Sequence, residues 1–224
     1  MSEQRPTVAV IGGTGNLGQG LAFQLTQRGY PVVIGSRKAD KAEESARELA
    51  ERTGSEIRGL DNAAAAEAAE IVIMTVPWAH HQGTLETIRE GVQGKIFVDT
   101  TVPLVPPKVA RVQLPEGGTA AAQAQEFLGE NVRVVSAFQN VAAAHLQDDT
   151  DHHDCDVLVC GNDKEARAVV VRLAEEIGLR AWHAGSIYNS AVAESLTSVL
   201  IFMNRFYKIN GAGIQITGEP GEAA

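Results

Sequence analysis

Residues Thr7 to Gly18 read Thr-Val-Ala-Val-Ile-Gly-Gly-Thr-Gly-Asn-Leu-Gly. Thr7 to Ile11 is a short apolar run bounded by glycine, the pattern of a buried strand. Gly13, Gly15 and Gly18 then give Gly-x-Gly-x-x-Gly, and from Leu17 to Arg28 the composition is helical, stopping at Gly29 as a C-cap. Glycine turns are common, and the motif alone would be weak. Here it leaves a strand directly and opens a helix, the context in which it cradles a dinucleotide. Gly13 is expected to permit the tight turn, Gly15 to let backbone N–H groups approach a pyrophosphate at the positive helix end, and Gly18 to bring the helix close to the sheet. Thr14, Asn16 and Leu17 lie in the same turn.

Working outward, Val32 to Ile34 is the second strand, and Gly35-Ser36-Arg37-Lys38 follows it. A site for NAD would place Asp or Glu at this point to bind the ribose 2′-hydroxyl. This chain offers a hydroxyl and two cations, with Lys41 one helical turn on. Those groups suit a 2′-phosphate, which Arg37 can grip bidentately. Cations at a helix N-terminus oppose its macrodipole, so a bound anion gives them a better reason than solvation does. NADP is therefore expected over NAD.

The remaining pattern alternates strands with helices, as in a parallel sheet covered on both faces. Ala39 to Arg52 is a polar helix ended near Gly54, Glu56 to Leu60 an edge strand, and Asp61 or Asn62 the cap of an alanine-rich helix. Ile71 to Val76 reads as a central strand. A helix from Ala79 to about Arg89, a strand from Lys95 to Asp99, a proline-rich loop from Val102 to Pro115, a helix from Ala120 to Leu128 and a strand from Arg133 to Phe138 complete an expected six-stranded, doubly wound Rossmann sheet. Beyond it, Asp148, Asp149, Asp151, Asp154 and Asp156 suggest a solvated connection. A strand at Val157 to Cys160, a helix to Ile177 capped by Asn162 or Asp163, a strand at Arg180 to His183 and a long helix from Asn189 or Ser190 to Phe206 follow. The expected division is an NADP-binding Rossmann domain over 1–150 and a small C-terminal α/β domain over 151–224.

Composition removes several function classes. Of 224 residues, 44% are hydrophobic and 21% charged, the balance of a globular chain rather than a disordered one. The 28 acidic and 19 basic residues give a net charge of -9, which opposes nonspecific attraction to nucleic acid or an anionic membrane. The charge is uneven: residues 1–60 carry eight Lys/Arg and seven Asp/Glu, a net of +1, which leaves -10 for the rest. Two cysteines make no disulfide framework, and Met-Ser-Glu-Gln-Arg at the start contains no apolar signal region, so a cytoplasmic location is expected. Apolar runs reach about five residues, as at Val199 to Met203, against the roughly 20 needed to span a bilayer.

Val76-Pro77-Trp78 ends the fourth strand at the carboxyl edge, where ligands of doubly wound sheets lie. Trp78 could wall a nicotinamide or equally pack under a loop, and His80 or His81 could reach a substrate. His152, His153, Cys155 and Cys160 match no zinc spacing, and Cys160 sits in an apolar strand as a small core residue, so no metal site is expected. There is no Gly-x-Ser-x-Gly elbow or other nucleophile constellation. No catalytic side chain is assigned.

The ordered set Gly-Gly-Thr-Gly-Asn-Leu-Gly, Gly-Ser-Arg and Val-Pro-Trp with a following His resembles NADPH-dependent F420 reductases. The resemblance continues in Asp156 to Gly161, in Gly185 to Ser190 and in Glu194 to Thr197, and so spans nearly the whole chain. It implies a deazaflavin, coenzyme F420, lying against the nicotinamide in a cleft between the two domains. It implies pyrophosphate contacts at Thr14, Gly15, Asn16 and Leu17, and 2′-phosphate contacts at Ser36, Arg37 and Lys41. It places Val76 and the loop near Val102 on the nicotinamide side, with the segment Ser136 to Ala143 by the reacting rings. Members of that family carry a histidine where this chain has Gln139. Hydride transfer between stacked rings needs no side-chain nucleophile, which agrees with the missing catalytic constellation. Two other readings stand beside it: an NADPH-dependent reductase of a flavin, imine or small carbonyl compound, with His80, His81, His145 or Tyr188 as proton donor, and a nonenzymatic NADP(H) sensor. Leu196, Val199, Leu200, Met203 and Phe206 give the last helix more apolar face than a small domain can cover, so a homodimer is expected.

Overall fold

The computed structural model describes residues 5–147 and 153–218. β1 (Val8–Ile11), β2 (Val32–Ser36), β3 (Arg58–Asp61), β4 (Ile71–Met74), β5 (Ile96–Asp99) and β6 (Arg133–Ser136) pair in parallel in the order 3-2-1-4-5-6. Successive residues of β1 face opposite layers. Val8 and Val10 pack with Leu21 and Leu25 of α1 (Asn16–Gln27) and Leu49 of α2 (Ala39–Thr53), while Ala9 and Ile11 pack with Ala65 of α3 (Asn62–Glu67) and Leu85 and Ile88 of α4 (His81–Ile88). All four residues of β1 are fully buried, as expected for a central strand of a doubly wound sheet.

Local chemistry sets most helix boundaries. Asp61 caps α3 by accepting from the N–H groups of Ala63 and Ala64, and Thr119 caps α5 (Ala120–Leu128) by accepting from Ala122. Gly54 ends α2 in the left-handed conformation. Residues 100–119 contain no helix or strand, as the prolines predict. The helix expected from Ala79 is divided into a 3₁₀ turn, Trp78–His80, followed by α4 from His81. Pro77 sets the extended entry to that turn.

The expected six-stranded sheet is extended at its C-terminal side by the two further strands that the sequence assigns to a small C-terminal domain. β7 (Asp156–Gly161) adds antiparallel to β6, and β8 (Arg180–His183) pairs parallel with β7 after α6 (Lys164–Glu176), giving an eight-stranded sheet. The boundary expected at 150/151 falls among residues 148–152, outside the described residues, as do Asp148, Asp149, Asp151 and His152. Asp156 is not solvated. It begins β7 at 3% exposure and accepts from Arg180 Nη2 (2.7 Å), Trp182 Nε1 (2.8 Å) and the backbone of Ile216 (2.7 Å). Burial pushes its carboxyl up, but these donors outweigh burial and hold it below the ordinary carboxylate range. The tail after the last helix is thereby fixed to the sheet.

That last helix, α7 (Ser190–Tyr207), is held by polar contacts at its N-terminal half. Asn140 Nδ2 donates to the carbonyl of Ala193 (2.8 Å), and the Thr197 hydroxyl donates to the carbonyl of Gln139 (2.9 Å). Glu194 accepts from the N–H groups of Ala120 (2.8 Å) and Ala121 (3.3 Å) at the start of α5. Of the expected apolar face, Leu200 is buried, Leu196 and Met203 are half-buried, and Val199 and Phe206 are exposed, together with Phe202.

Burial pushes Glu194 from 4.5 to about 7, against the pull of the α5 N–H groups. A carboxyl whose folded value is raised stabilises the fold fully below its unfolded value and loses that contribution as pH rises through the folded value. At 1.36 kcal/mol per unit, up to roughly 3 kcal/mol is lost between about pH 4.5 and pH 8. Glu194→Gln cannot ionise, so its stability relative to the parent should improve by 1–3 kcal/mol (order of magnitude, roughly) from pH 5 to pH 8 in paired denaturant titrations. A pH-independent difference would contradict the assignment.

Candidate functional site

The glycine turn is built by exclusion of side chains. Gly12 has φ +75, and a Cβ there would lie 2.8 Å from Val76 Cγ1, so the conformation of the tight turn belongs to Gly12 rather than to Gly13 as expected. At Gly18 a Cβ would meet Gly13 Cα and Thr75 Oγ1, both at 2.7 Å, which is why α1 can approach the sheet so closely. No side chain caps α1 and its first turn has no acidic residue. Its leading N–H groups therefore remain available to an anion.

Those groups open into a cavity of about 670 Å³ over the carboxyl ends of β1, β2 and β4, lined at one end by Thr14, Gly15, Asn16 and Leu17. Its other end holds Ser36, Arg37, Lys38 and Lys41. The three cations are exposed and make no ion pair among the described residues. Asp61 is the register partner of Ser36 on the adjacent strand, and its Oδ1 is already used as the cap of α3. A cluster of unpaired cations beside a buried serine, at the far side of a cavity from an uncapped helix, is a fit for two separated phosphate groups.

Thr75, Val76, Pro77, His80 and Thr84 form the third wall. Of the expected site residues, Thr14, Gly15, Asn16, Leu17, Ser36, Arg37, Lys41, Val76 and Pro77 are brought together around this space. Gly13 lies buried beneath the turn, where its N–H donates to the carbonyl of Gly35 (3.0 Å). Trp78 does not line the cavity and instead packs on the ring of His81, with centroids 5.1 Å apart. Val102 lies on the segment leaving β5, and Ala143 begins a 3₁₀ turn, Ala143–Gln147, packed along α1 with its carbonyl near Gly20. Gln147 Nε2 from that turn donates to the carbonyl of Asn16 (2.9 Å).

Sequence reasoning missed Asn62, Thr75 and Thr84 as lining residues. Asn62 is 3% exposed, its Oδ1 has no hydrogen-bond partner among the described residues, and it also lines an adjoining cavity of about 560 Å³ with Ser36, Arg37 and His80. Its position directly after the edge strand could have marked it, since residues at carboxyl ends of strands face the ligand crevice. Among the four proton-donor candidates, His80 lines the cavity, His81 is buried, Tyr188 is exposed, and His145 Nε2 lies 3.1 Å from the carbonyl of Asn210. Burial pushes the Cys160 thiol up to about 11, consistent with a core residue. Among the described residues no three His, Cys, Asp or Glu side chains gather as a metal site, and no helix is long and apolar enough to cross a membrane.

Comparison with known proteins points to one family. Residues 7–103 match the family model described as NADP oxidoreductase, coenzyme F420-dependent. The F420-dependent NADP reductase of Methanocaldococcus jannaschii is 42% identical over 219 residues, covering 94% of this chain and 97% of that protein. The F420-dependent NADP reductase of Methanothermobacter marburgensis is 40% identical, covering 95% and 99% of the two chains. A crystal structure of a protein from Arthrobacter sp. FB24 superposes with a TM-score of 0.81 at 25% identity, over 95% of this chain and all of that one. Identity at this level, running end to end through both the glycine turn and the C-terminal strands, means that the chain belongs to the F420-dependent NADP reductase family.

Proposed function

We propose that this protein is an oxidoreductase that moves a hydride between NADP(H) and coenzyme F420. The observation that carries the reading is the single cavity joining the uncapped start of α1 to the unpaired cations after β2. In the reducing direction C4 of the nicotinamide gives up a hydride, both electrons and the hydrogen nucleus, to the deazaflavin, which takes a further proton from solvent, leaving NADP⁺ and the two-hydrogen-reduced deazaflavin. The side chains bind and orient; none forms a bond to either substrate.

In this reading the pyrophosphate lies over the turn of Gly13, Thr14, Gly15, Asn16 and Leu17 and is held by the leading N–H groups of α1, since those of Gly13 and Gly15 already donate to Gly35 and Gly12, and Ser36, Arg37 and Lys41 hold the 2′-phosphate. Val76 and Pro77, which line the cavity, and the segment at Val102 border the nicotinamide side, whereas Trp78 packs on His81 and Ala143 along α1. Residues 1–150 serve as the NADP-binding domain, and residues 151–224 as a small C-terminal domain closing one side of the cleft that receives coenzyme F420. The acidic net charge weighs against nucleic-acid and anionic-membrane partners, and a cytoplasmic location is part of this reading. Val192, Val199, Phe202 and Phe206 expose apolar surface along α7, at 42–67% exposure, which supports a homodimer through this face.

Anaerobic mixing of the protein with NADPH and oxidised coenzyme F420 should bleach the deazaflavin absorbance; no loss beyond a protein-free control would overturn the reaction. Arg37→Ala should weaken NADPH binding by about 1–3 kcal/mol through loss of a charge-assisted bond while sparing NADH. Equal losses for both nucleotides in fluorescence titrations would contradict the 2′-phosphate site. Light scattering should give twice the 23.8 kDa chain mass, and a monomer would refute the dimer.

A further inference from the structure

His81 opens α4 and Asp99 ends β5, and the two form a fully buried pair that the chemistry above does not use. His81 is 2% and Asp99 0% exposed, with His81 Nε2 at 2.7 Å from Asp99 Oδ2. Neither residue lines the cavity. The remaining acceptors of Asp99 are all spent on chain segments leaving the sheet. Its Oδ1 accepts from the N–H of Thr101 (2.9 Å), and its carbonyl accepts from Gln139 Nε2 (2.8 Å) and from the N–H of Ala137 (3.3 Å). Thr100 in turn donates through its hydroxyl to the carbonyl of Met74 (3.0 Å), at the end of β4.

One aspartate thus links the exits of β4, β5 and β6. Between Ala137 and Gln139, the buried Phe138 is held at φ +71, a conformation that costs about 1–3 kcal/mol in a bulky residue and persists only where its surroundings over-determine it. A doubly wound sheet binds a dinucleotide across its two halves. The cations after β2 take the phosphorylated ribose on the β1–β3 half, so the β4–β6 exits face the nicotinamide half.

We propose that the His81–Asp99 pair is a positioning device for hydride transfer, fixing the exits of β4, β5 and β6 relative to one another without touching substrate. The inference rests on the NADP(H) reading above. Its consequence is a separation of binding from chemistry, because the phosphates are held elsewhere, whereas a displacement of about 1 Å at the reacting rings costs on the order of 100-fold in rate.

The decisive variants are His81→Leu, which removes the donor, and His81→Gln, whose amide can restore it. For His81→Leu, fluorescence titration should give an NADPH Kd within about twofold of the parent, while single-turnover hydride transfer to coenzyme F420 slows about tenfold or more. His81→Gln should recover most of that rate, and amide exchange at Thr101 should quicken in His81→Leu alone. An unchanged rate in folded His81→Leu, or a rate and an affinity that fall in proportion, would overturn the proposal. If His81→Leu does not fold, the double variant His81→Leu/Asp99→Asn, which leaves no uncompensated carboxylate and keeps the Thr101 contact, decides by the same readouts. In the unaltered protein the Thr101 amide should exchange far more slowly than the amides of residues 105–112; equal exchange also overturns the proposal. A parent protein that binds NADPH but does not reduce coenzyme F420 faults the proposed reaction instead, and amide exchange then still tests the pair.

Discussion

The close approach of α1 to the ends of β1 and β4 is the constraint on which the rest of the molecule depends. Any side chain larger than hydrogen at Gly18 would meet Gly13 Cα and Thr75 Oγ1 at 2.7 Å, and one at Gly12 would meet Val76. Because those atoms are absent, the helix start sits directly over the carboxyl edge of the sheet. Its uncapped N–H groups then face the same cavity as Ser36, Arg37 and Lys41 on the neighbouring strand exit. The electrostatics of the site follow from this packing, since a helix end aimed elsewhere would leave the cations with no second anchor to act with.

The C-terminal third is fastened by a different kind of force. β7 and β8 extend the sheet, yet α7 docks through Asn140, Thr197 and Glu194 rather than through a continuous apolar seam. Hydrogen bonds fix direction more sharply than apolar contact does, and they leave the opposite face of α7 exposed. The same polar layer continues through Gln139 to Asp99 and His81. Gln139 has two donors engaged, to Asp99 and to Ser136, so a glutamine serves here as a bridge between β5 and β6.

Much of the first half was legible because its signals are local. Gly54 ends α2, Asp163 caps α6 as one of its two candidates, and the run from Ile71 has the apolar continuity of a strand buried on both faces. Arg37 and Lys41 could be assigned to one site because they follow a strand exit at fixed distance. Asn62 escaped notice because α3 needed one cap and Asp61 and Asn62 were equal candidates for it; only the structure shows which carboxamide or carboxylate is spent. Asp156 reads in sequence as part of an acidic, solvated stretch because its donors, Arg180, Trp182 and Ile216, are 24, 26 and 60 residues away.

By itself, then, the amino-acid sequence determined the doubly wound architecture, the glycine turn at the start of α1 and the cationic cluster after β2, since each is written in residues a few positions apart. The family resemblance visible in its ordered motifs agrees with the comparisons over nearly the whole chain. Tertiary structure alone decided that the last two strands join the same sheet, that Trp78 packs on His81 instead of lining the cavity, and that Asp99 joins three strand exits. Those outcomes depend on which buried donor reaches which acceptor across dozens of residues, and a linear pattern carries no distance between them.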